Sequence, residues 1–351
     1  MKFAISIALA RHTPATDTSE LMKHGLELAK LADEGGIEMI FVPEHHGIEL
    51  STGPNPFVQL AAWAPHIKRA RLGPAVLAAP YWHPLRLAGE AGMFDQLTDG
   101  RLELGIGRGA FQYEFDRMGG GLDPERGREM LGELVPLVKQ LWLGEASSDK
   151  LPWSFPSATA CPKPLQQPHP PIWIAARHPA VFDLAIENDC DIMGTPLMWP
   201  FAEVLTLVER LEAAVAKRPD KPRPRFMVLR DACVVDDPDG WPVAVDTLYE
   251  HARRFETLFK NMGGVHDGFA ESVDLSVVTN KADYTPDAIR ENLIIGTPEE
   301  AIAKLRKYED AGVDYFLYQG ISGLPPEVAL RSLELFVTEV MPAFERSASR
   351  A

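Results

Sequence analysis

The sequence predicts a single α/β domain over residues 1–351, folded as a (β/α)8 TIM barrel. Short apolar runs alternate with amphipathic stretches of helical length along the whole chain. Most of these runs are continuously apolar, which is typical of parallel strands covered on both faces. The length of 351 residues fits one large barrel. Eight strand–helix units in one chain of this length therefore predict a barrel.

The predicted strands occupy eight ranges in chain order. They are 2–9, 37–43, 72–78, 101–107, 171–176, 191–195, 225–235 and 313–318. The first range weakly imitates a signal peptide. We interpret it as a core strand because the apolar run is short and only one lysine precedes it. Helices are predicted at 20–33, 56–67, 85–97, 125–142, 201–216, 297–311 and about 326–344.

Two segments interrupt the alternation, at about 144–170 and 236–292. We interpret both as insertions in the loops that follow strands, where long loops often shape substrate pockets. A doubly wound sheet is the alternative fold, with Gly105-Ile106-Gly107-Arg108-Gly109 as its nucleotide loop. That loop has the spacing G-x-G-x-G and follows the fourth strand, so the barrel is favoured.

The composition narrows the class of function. A formal charge of −15 argues against binding to nucleic acid or to anionic membranes. The three cysteines are odd in number and widely spaced, so neither a disulfide framework nor a zinc site is expected. The reducing cytoplasm is the expected compartment. No apolar run is long enough to span a membrane.

Candidate site residues follow the second, fourth and fifth predicted strands. In a barrel, the carboxyl ends of the strands carry the catalytic groups. Glu44-His45-His46 could supply an acid or base, a metal ligand or a loop hydrogen bond.

Arg108 on its glycine turn suits a phosphate, and the alternative is a salt bridge to an acid such as Glu114. Arg126 or Arg128 could add a second cation. Backbone N–H groups near Arg177 and His178 could also reach a phosphate, unless this is only a tight turn. Signatures of a serine nucleophile or a metal site are absent from the sequence, so a cofactor is expected to perform the chemistry.

These motifs together resemble the luciferase-like family of flavin-dependent monooxygenases. The resemblance rests on the triplet at 44–46, on His-Pro-x-Arg at 83–86, and on Leu-Thr-Asp-Gly-Arg followed by Gly-Ile-Gly-Arg-Gly. It continues through 163–175 and 295–300 and ends near Met341-Pro342. The order of these motifs makes the resemblance specific.

The resemblance implies reduced FMN at the carboxyl ends of the strands, supplied by a separate flavin reductase. O2 would give a C4a-peroxyflavin that oxygenates a small organic substrate, in a homodimeric enzyme. His45 matches the histidine beside the flavin, and Arg108 matches a phosphate arginine. Arg128 matches the second phosphate arginine, with Arg126 as the fallback. The other matching positions are Ala75 and Val76, at a non-prolyl cis peptide beneath the ring, and Ala175, Ala176, Arg177 and His178 around the phosphate.

The chain also departs from the luciferases. Arg177, His178 and Val181 stand where the luciferases have an acid, a serine and a threonine, so we hypothesise that Arg177 or His178 substitutes electrostatically. Gly107 replaces a cysteine, so light emission is not implied. Two alternatives stay open: an F420-dependent oxidoreductase of the same fold, and a flavin-binding protein without turnover.

Overall fold

The structure of the protein is a computed structural model that describes residues 1–344. Its main sheet has ten parallel strands, and two separate two-stranded hairpins accompany it. In chain order the strands are β1 (Lys2–Ser6), β2 (Met39–Val42), β3 (Arg71–Pro74), β4 (Leu77–Ala78), β5 (Leu104–Gly107), β6 (Ala146–Ser148), β7 (Phe155–Ala158), β8 (Ile172–Ala175), β9 (Asp191–Gly194), β10 (Phe226–Val234), β11 (Val265–His266), β12 (Phe269–Ala270), β13 (Ile294–Gly296) and β14 (Tyr315–Gly320).

The main sheet curls into a nearly closed barrel. Its strands follow the order β3-β2-β1-β14-β10-β9-β8-β5-β4, and β13 pairs with the end of β10. β3 and β4 are two halves of one predicted strand, because β3 pairs with β2 and β4 pairs with β5. A parallel bridge between Leu72 and Leu102 joins the two ends of this order. The predicted barrel is confirmed, and each of the eight predicted strand ranges contains a strand.

Helices alternate with the strands and cover the outside of the barrel. They are α1 (Thr18–Glu34), α2 (Pro56–Trp63), α3 (Pro84–Leu97), α4 (Gln112–Met118), α5 (Arg126–Leu143), α6 (Pro179–Glu187), α7 (Phe201–Lys217), α8 (Pro242–Lys260), α9 (Leu275–Thr279), α10 (Pro286–Asn292), α11 (Pro298–Asp310) and α12 (Pro326–Leu335). Within residues 1–344, none of them has both the length and the apolar character needed to cross a membrane.

Alternation of side chains along the strands separates two apolar regions. Residues turned into the barrel form an inner cluster of Ala4, Met39, Phe41, Trp173, Met193, Met227, Tyr315 and Leu317. Their neighbours, such as Ile40 and Val42, pack instead against the surrounding helices. The barrel interior is therefore a filled core, and ligands have to bind at one of its ends.

Ion pairs close the amino-terminal end of the barrel around Glu103. This carboxylate is almost fully buried and accepts a hydrogen bond from the indole N–H of Trp173 at 2.6 Å. It also contacts the guanidinium groups of Arg71 and Arg225, the latter at 3.4 Å. Arg225 in turn pairs with Asp191 at 2.6 Å. This network joins β3, β5, β8 and β10, and so holds the end of the barrel opposite the candidate site.

The two long insertions lie on different sides of the barrel. Residues 144–170 connect α5 to β8, so they precede a strand and the prediction that they form a strand-to-helix loop is wrong. They pack outside the barrel, where Gln166 bonds to Asp95 and to Arg71. Residues 236–292 do follow a strand, β10, as predicted, and their main helix is α8. Only this second insertion is a βα loop at the carboxyl end.

We expect Glu103→Gln to lower the free energy of unfolding by about 2–4 kcal/mol, because it leaves two arginines without their buried partner. Urea unfolding followed by circular dichroism measures this loss. Glu334→Gln is the matched control, since Glu334 pairs with Arg331 on an exposed helix surface. That change should cost less than about 0.5 kcal/mol. Equal losses in the two variants would contradict a structural role for the Glu103 network.

Candidate active site

Glu44 ties the loop after β2 to the chain after β4. Its carboxylate is buried and accepts the backbone N–H of Ala78 at 2.6 Å and the indole N–H of Trp82 at 2.9 Å. The ring Nε2 of His46 is a third donor, at 2.9 Å. A buried carboxylate needs such donors because burying an unpaired charge is unfavourable. Glu44 and His46 therefore hold the loop in shape.

His45 is oriented by a second buried carboxylate, Glu114 of α4. Its Nδ1 lies 3.2 Å from Oε1 of Glu114, and the same oxygen accepts the backbone N–H of His46 at 2.6 Å. Because a carboxylate only accepts, Nδ1 carries the proton, and Nε2 is left to contact another molecule. The alternative in which Glu114 pairs with Arg108 is wrong, since Glu114 is the partner of both histidines.

The same two carboxylates act on the neighbouring rings of His46 and Tyr81, whose centroids lie 5.7 Å apart. The hydrogen bond to Glu44 raises the pKa of His46 above its ordinary value. Burial raises the pKa of Tyr81, and Glu114 and Glu44 add to the effect. The Tyr81 hydroxyl is buried without a hydrogen-bond partner among residues 1–344. It is therefore a neutral phenol whose O–H can donate to a bound molecule.

Small residues meet at the carboxyl ends of β4, β5 and β8. A Cβ on Gly107 would lie 2.6 Å from Cγ2 of Val76 and 3.4 Å from Cβ of Ala175. The peptide bond between Ala75 and Val76 is cis, at the position that the resemblance implies. Ala75 and Val76 also pack on the inner apolar cluster of the barrel. Together these residues form a surface of small side chains over the filled interior.

The turn after β5 carries Arg108 between two glycines. Gly109 has a φ of +83°, which a glycine adopts without strain. Helix α5 begins close to this turn, because a Cβ on Gly127 would lie 2.1 Å from the carbonyl oxygen of Arg108. The Arg108 side chain is half-buried, and within residues 1–344 its guanidinium has neither an ion pair nor a hydrogen bond. A guanidinium without a partner beside a helix N-terminus suits a phosphate.

The first turn of α5 supplies both candidate second cations. Arg126 is more than half exposed and pairs with Glu129 at 2.8 Å. Arg128 is less exposed and pairs with Glu125 at 3.0 Å, but its Nε is buried and has no partner in the described chain. An unsatisfied buried donor indicates a missing acceptor. This difference supports Arg128 as the residue closer to a bound anion. A cofactor phosphate would supply the acceptor that the Arg128 Nε lacks.

The segment after β8 turns directly into α6. Ala175 ends the strand, Ala176 is buried, and Nδ1 of His178 accepts the N–H of Ala180 at 3.3 Å as the cap of the helix. The Arg177 guanidinium lies 4.3 Å from the ring centroid of Trp199 and 3.6 Å from Glu203. The side chains of Arg177 and His178 thus have local partners. Their contact with a phosphate stays a prediction.

The insertion at 236–292 covers parts of the loops that follow β2 and β5. Phe255 of α8 contacts Phe111, and Phe111 contacts His45, with ring centroids 5.9 and 5.1 Å apart. The carbonyl of Gly268, between β11 and β12, accepts the N–H of Glu49 at 2.7 Å. A buried apolar cluster seals this contact and contains Ile48, Leu50, Phe111, Leu258 and Ala270. The insertion therefore forms an apolar roof beside His45.

Sequence patterns do not predict the roles of Glu114, Tyr81 or Asp231. Glu114 lies on the seven-residue helix α4, which is too short to have a clear apolar period. Asp231 lies inside the apolar strand β10, where a single acid is the one visible signal. Such an acid in a buried strand needs a polar partner and is worth examining in any sequence.

The chain was compared with protein families and with known proteins. It matches the family model described as luciferase-like monooxygenase over residues 1–315. It is 37% identical over 347 residues to the flavin-dependent trigonelline monooxygenase, oxygenase component, of Acinetobacter baylyi. That alignment covers 99% of this chain and 96% of the relative.

Two solved structures have the same fold at lower identity. One is the oxygenating constituent of 3,6-diketocamphane monooxygenase from Pseudomonas putida in complex with FMN, with a TM-score of 0.75, 20% identity, and coverage of 97% of this chain and 98% of that chain. The other is an F420-dependent secondary alcohol dehydrogenase in complex with an F420–acetone adduct, with a TM-score of 0.76, 18% identity, and coverage of 98% and 99%. At these identities the two structures support the fold alone.

The histidines of the site and its roof should titrate at different pH values. We expect His46 to titrate above 6.5, because Glu44 stabilises its protonated form. His12 and His251, whose rings lie 5.7 Å apart, should stay neutral to much lower pH, because burial lowers their pKa values to about 4 and about 3. NMR titration of the imidazole signals measures all three. A His46 pKa at or below 6.5 would contradict the Glu44 hydrogen bond.

Proposed function

Because this chain belongs to the luciferase-like monooxygenase family, we propose that it is the oxygenase component of a flavin-dependent monooxygenase. In this proposal a separate reductase supplies reduced FMN, and O2 is used to oxygenate a small organic substrate. The name of the 37% identical relative, an oxygenase component, supports a separate reductase. Trigonelline, named for the same relative, is the first substrate to assay.

The main support for this proposal is the Arg108 guanidinium. The Arg108 side chain is half-buried and has no partner in the described chain. The start of α5 packs against the backbone of Arg108. We propose that Arg108 and Arg128 bind the FMN phosphate, with Arg126 as the fallback. The buried Nε of Arg128, which has no partner in the described chain, supports Arg128 over Arg126 as the second phosphate arginine. Two arginines beside a helix N-terminus are suited to a dianion.

We propose that the flavin ring rests on the surface of small residues. Ala75, Val76 and Ala175 would lie beneath or beside the ring, and Gly107 would allow it to approach the backbone. Ala176, Arg177 and His178 would border the phosphate, mainly through backbone N–H groups, since the two basic side chains have local partners. When bound, reduced FMN supplies the electrons that activate O2.

His45 is proposed as the catalytic side chain. Glu114 fixes its tautomer, so its Nε2 can accept or donate a proton at the cofactor or substrate. The apolar roof around Phe111 and Phe255 would limit the access of water to this ring. Exclusion of water would favour transfer of oxygen to the substrate over unproductive consumption of O2. A buried carboxylate dedicated to orienting His45 argues against a flavin-binding protein without turnover.

We further propose a homodimer. Val58 on α2 and Met93 and Leu97 on α3 are all more than half exposed, and these two helices pack against each other. Large exposed apolar side chains on adjacent helices are typical of a protein interface. A second copy of this chain would bury them.

We expect the purified protein to bind FMN, and Arg108→Gln to weaken this binding. A lost charge-assisted hydrogen bond of about 1.5–3 kcal/mol corresponds to roughly 10- to 100-fold in Kd. Quenching of FMN fluorescence measures it. Arg117→Gln is the matched control, because Arg117 is an exposed arginine on the neighbouring helix α4. In the same titration, Arg128→Gln should weaken binding more than Arg126→Gln.

F420 is the second cofactor to titrate, in its reduced form and beside reduced FMN. Tighter binding of F420, with no O2 consumption on addition of reduced FMN, would contradict the proposed monooxygenase. Unchanged FMN affinity in Arg108→Gln would remove Arg108 from the cofactor site.

We expect His45→Asn to lower coupled turnover by about 100-fold or more, the scale of a lost general acid or base. Product formed per O2 consumed is the readout, and FMN affinity should stay unchanged. His66→Gln, an exposed histidine at the end of a 3-10 turn, is the control. A His45→Asn enzyme with full coupling would exclude His45 from the chemistry.

A further inference from the structure

Asp231 is an acidic residue turned into the barrel. Side chains of β10 alternate between its two faces, and Met227 and Leu229 belong to or pack on the inner cluster. Asp231 follows on the same face, toward the carboxyl end. Beyond it, Cys233 packs against the apolar core of the 236–292 insertion. Asp231 therefore lies where the filled barrel ends and the roof begins.

Only one oxygen of this carboxylate has a protein partner in the described chain. Gln319, directly opposite on β14, donates from Nε2 to Oδ1 at 3.0 Å. The neighbouring Arg230 turns to the other face of the strand, where it donates to Tyr308 and to the carbonyl of Leu197. Asp231 is partly accessible, although the strand residues on either side of it are buried. Oδ2 is thus available to a bound molecule.

The protein stabilises the negative charge of Asp231 only in part. Burial raises the pKa of Asp231 to about 6, although the Gln319 hydrogen bond and the charge of Arg230 act in the opposite direction. In the roof, the charge of Asp231 acts on Tyr284, a buried phenol. Burial, Glu256 and Asp231 all raise the pKa of Tyr284. A cation close to Oδ2 would favour the charged form of this carboxylate.

The position of Asp231 also separates it from the proposed phosphate site. Strands β8 and β9 lie between β5, which leads to Arg108, and β10, which carries Asp231. The residues that end these two intervening strands, Ala175 of β8 and Gly194 of β9, are small and uncharged. The two ends of the mouth therefore differ in charge: the Arg108 side attracts an anion and the Asp231 side attracts a cation.

We propose that Asp231, supported by Gln319, is the substrate-recognition residue and that it selects small substrates that carry a positive charge. This inference rests on the proposed function, because it assigns the substrate to the part of the mouth that the flavin phosphate does not use. The substrate cation would contact Oδ2, while Oδ1 stays bonded to Gln319. No proton or electron transfer by Asp231 is required.

Trigonelline and nicotinate form a matched pair of probes. They share a pyridine ring and a carboxylate, but only trigonelline carries the ring methyl group and the positive charge. We expect calorimetric titration of the full-length protein to give a Kd for trigonelline at least about tenfold lower than that for nicotinate. Asp231→Asn, which can still accept from Gln319, should reduce this preference to less than about threefold.

The control variant is Asp246→Asn, which removes the same charge from the exposed surface of α8. It should keep the full preference. In turnover assays, Asp231→Asn should raise KM for trigonelline far more than it lowers kcat, since it changes binding. The inference is overturned if the unmodified protein does not prefer trigonelline or if Asp231→Asn keeps the preference. It is also overturned if Asp231→Asn changes FMN affinity as much as trigonelline affinity.

The titrations are run with and without FMN, which separates this inference from the proposed function. Failure to bind FMN contradicts the proposed function, and the flavin-free titration then still tests Asp231. Normal FMN binding without a preference for the cationic ring contradicts only the role of Asp231.

Discussion

Two buried carboxylates, Glu44 and Glu114, determine the shape of the carboxyl end of this barrel. Each is taken out of water, and each is stabilised by donors from a different loop. Because an unpaired buried charge is so unfavourable, these donors are held in position together. Glu44 fixes the chain at Ala78, just after the cis peptide, and Glu114 fixes the ring of His45. The geometry of the proposed flavin surface and of the proposed catalytic histidine thus has one electrostatic origin.

Close backbone contacts also determine the shape of the carboxyl end of the barrel. Gly127 lets helix α5 approach the carbonyl of Arg108, where any side chain would collide. The approach brings the helix N-terminus and Arg128 to the turn that carries Arg108. An arginine in water pairs readily with carboxylates, and this chain has 50 acidic residues. The absence of an acidic partner for the Arg108 guanidinium in the described chain supports the proposal that it binds the cofactor phosphate.

The barrel could be predicted from the sequence because its signal is local. Continuous apolar runs such as that of β2 identify buried parallel strands without knowledge of their neighbours. Arg108 could be predicted for the same reason, since glycines mark the turn on which it lies. The roles of Glu114 and Asp231 could not be predicted, because they depend on partners that are 68 and 88 residues away, His46 and Gln319. The side of the barrel taken by residues 144–170 was mispredicted, although the helix predicted at 125–142 already places them before a strand rather than after one.

The distribution of charge across the mouth gives the two proposed ligands separate places. A phosphate at Arg108 and a cation at Asp231 would bind at opposite sides of the surface formed by Gly107 and Ala175. Each charge would then be neutralised locally, so neither ligand would gain by occupying the other's position. His45 lies on the loop after β2, on the far side of β1 and β14 from Asp231 in the strand order. A substrate held at Asp231 would therefore face the His45 ring from across the mouth, so the position of its reacting atom relative to its charge would matter as well as the charge itself.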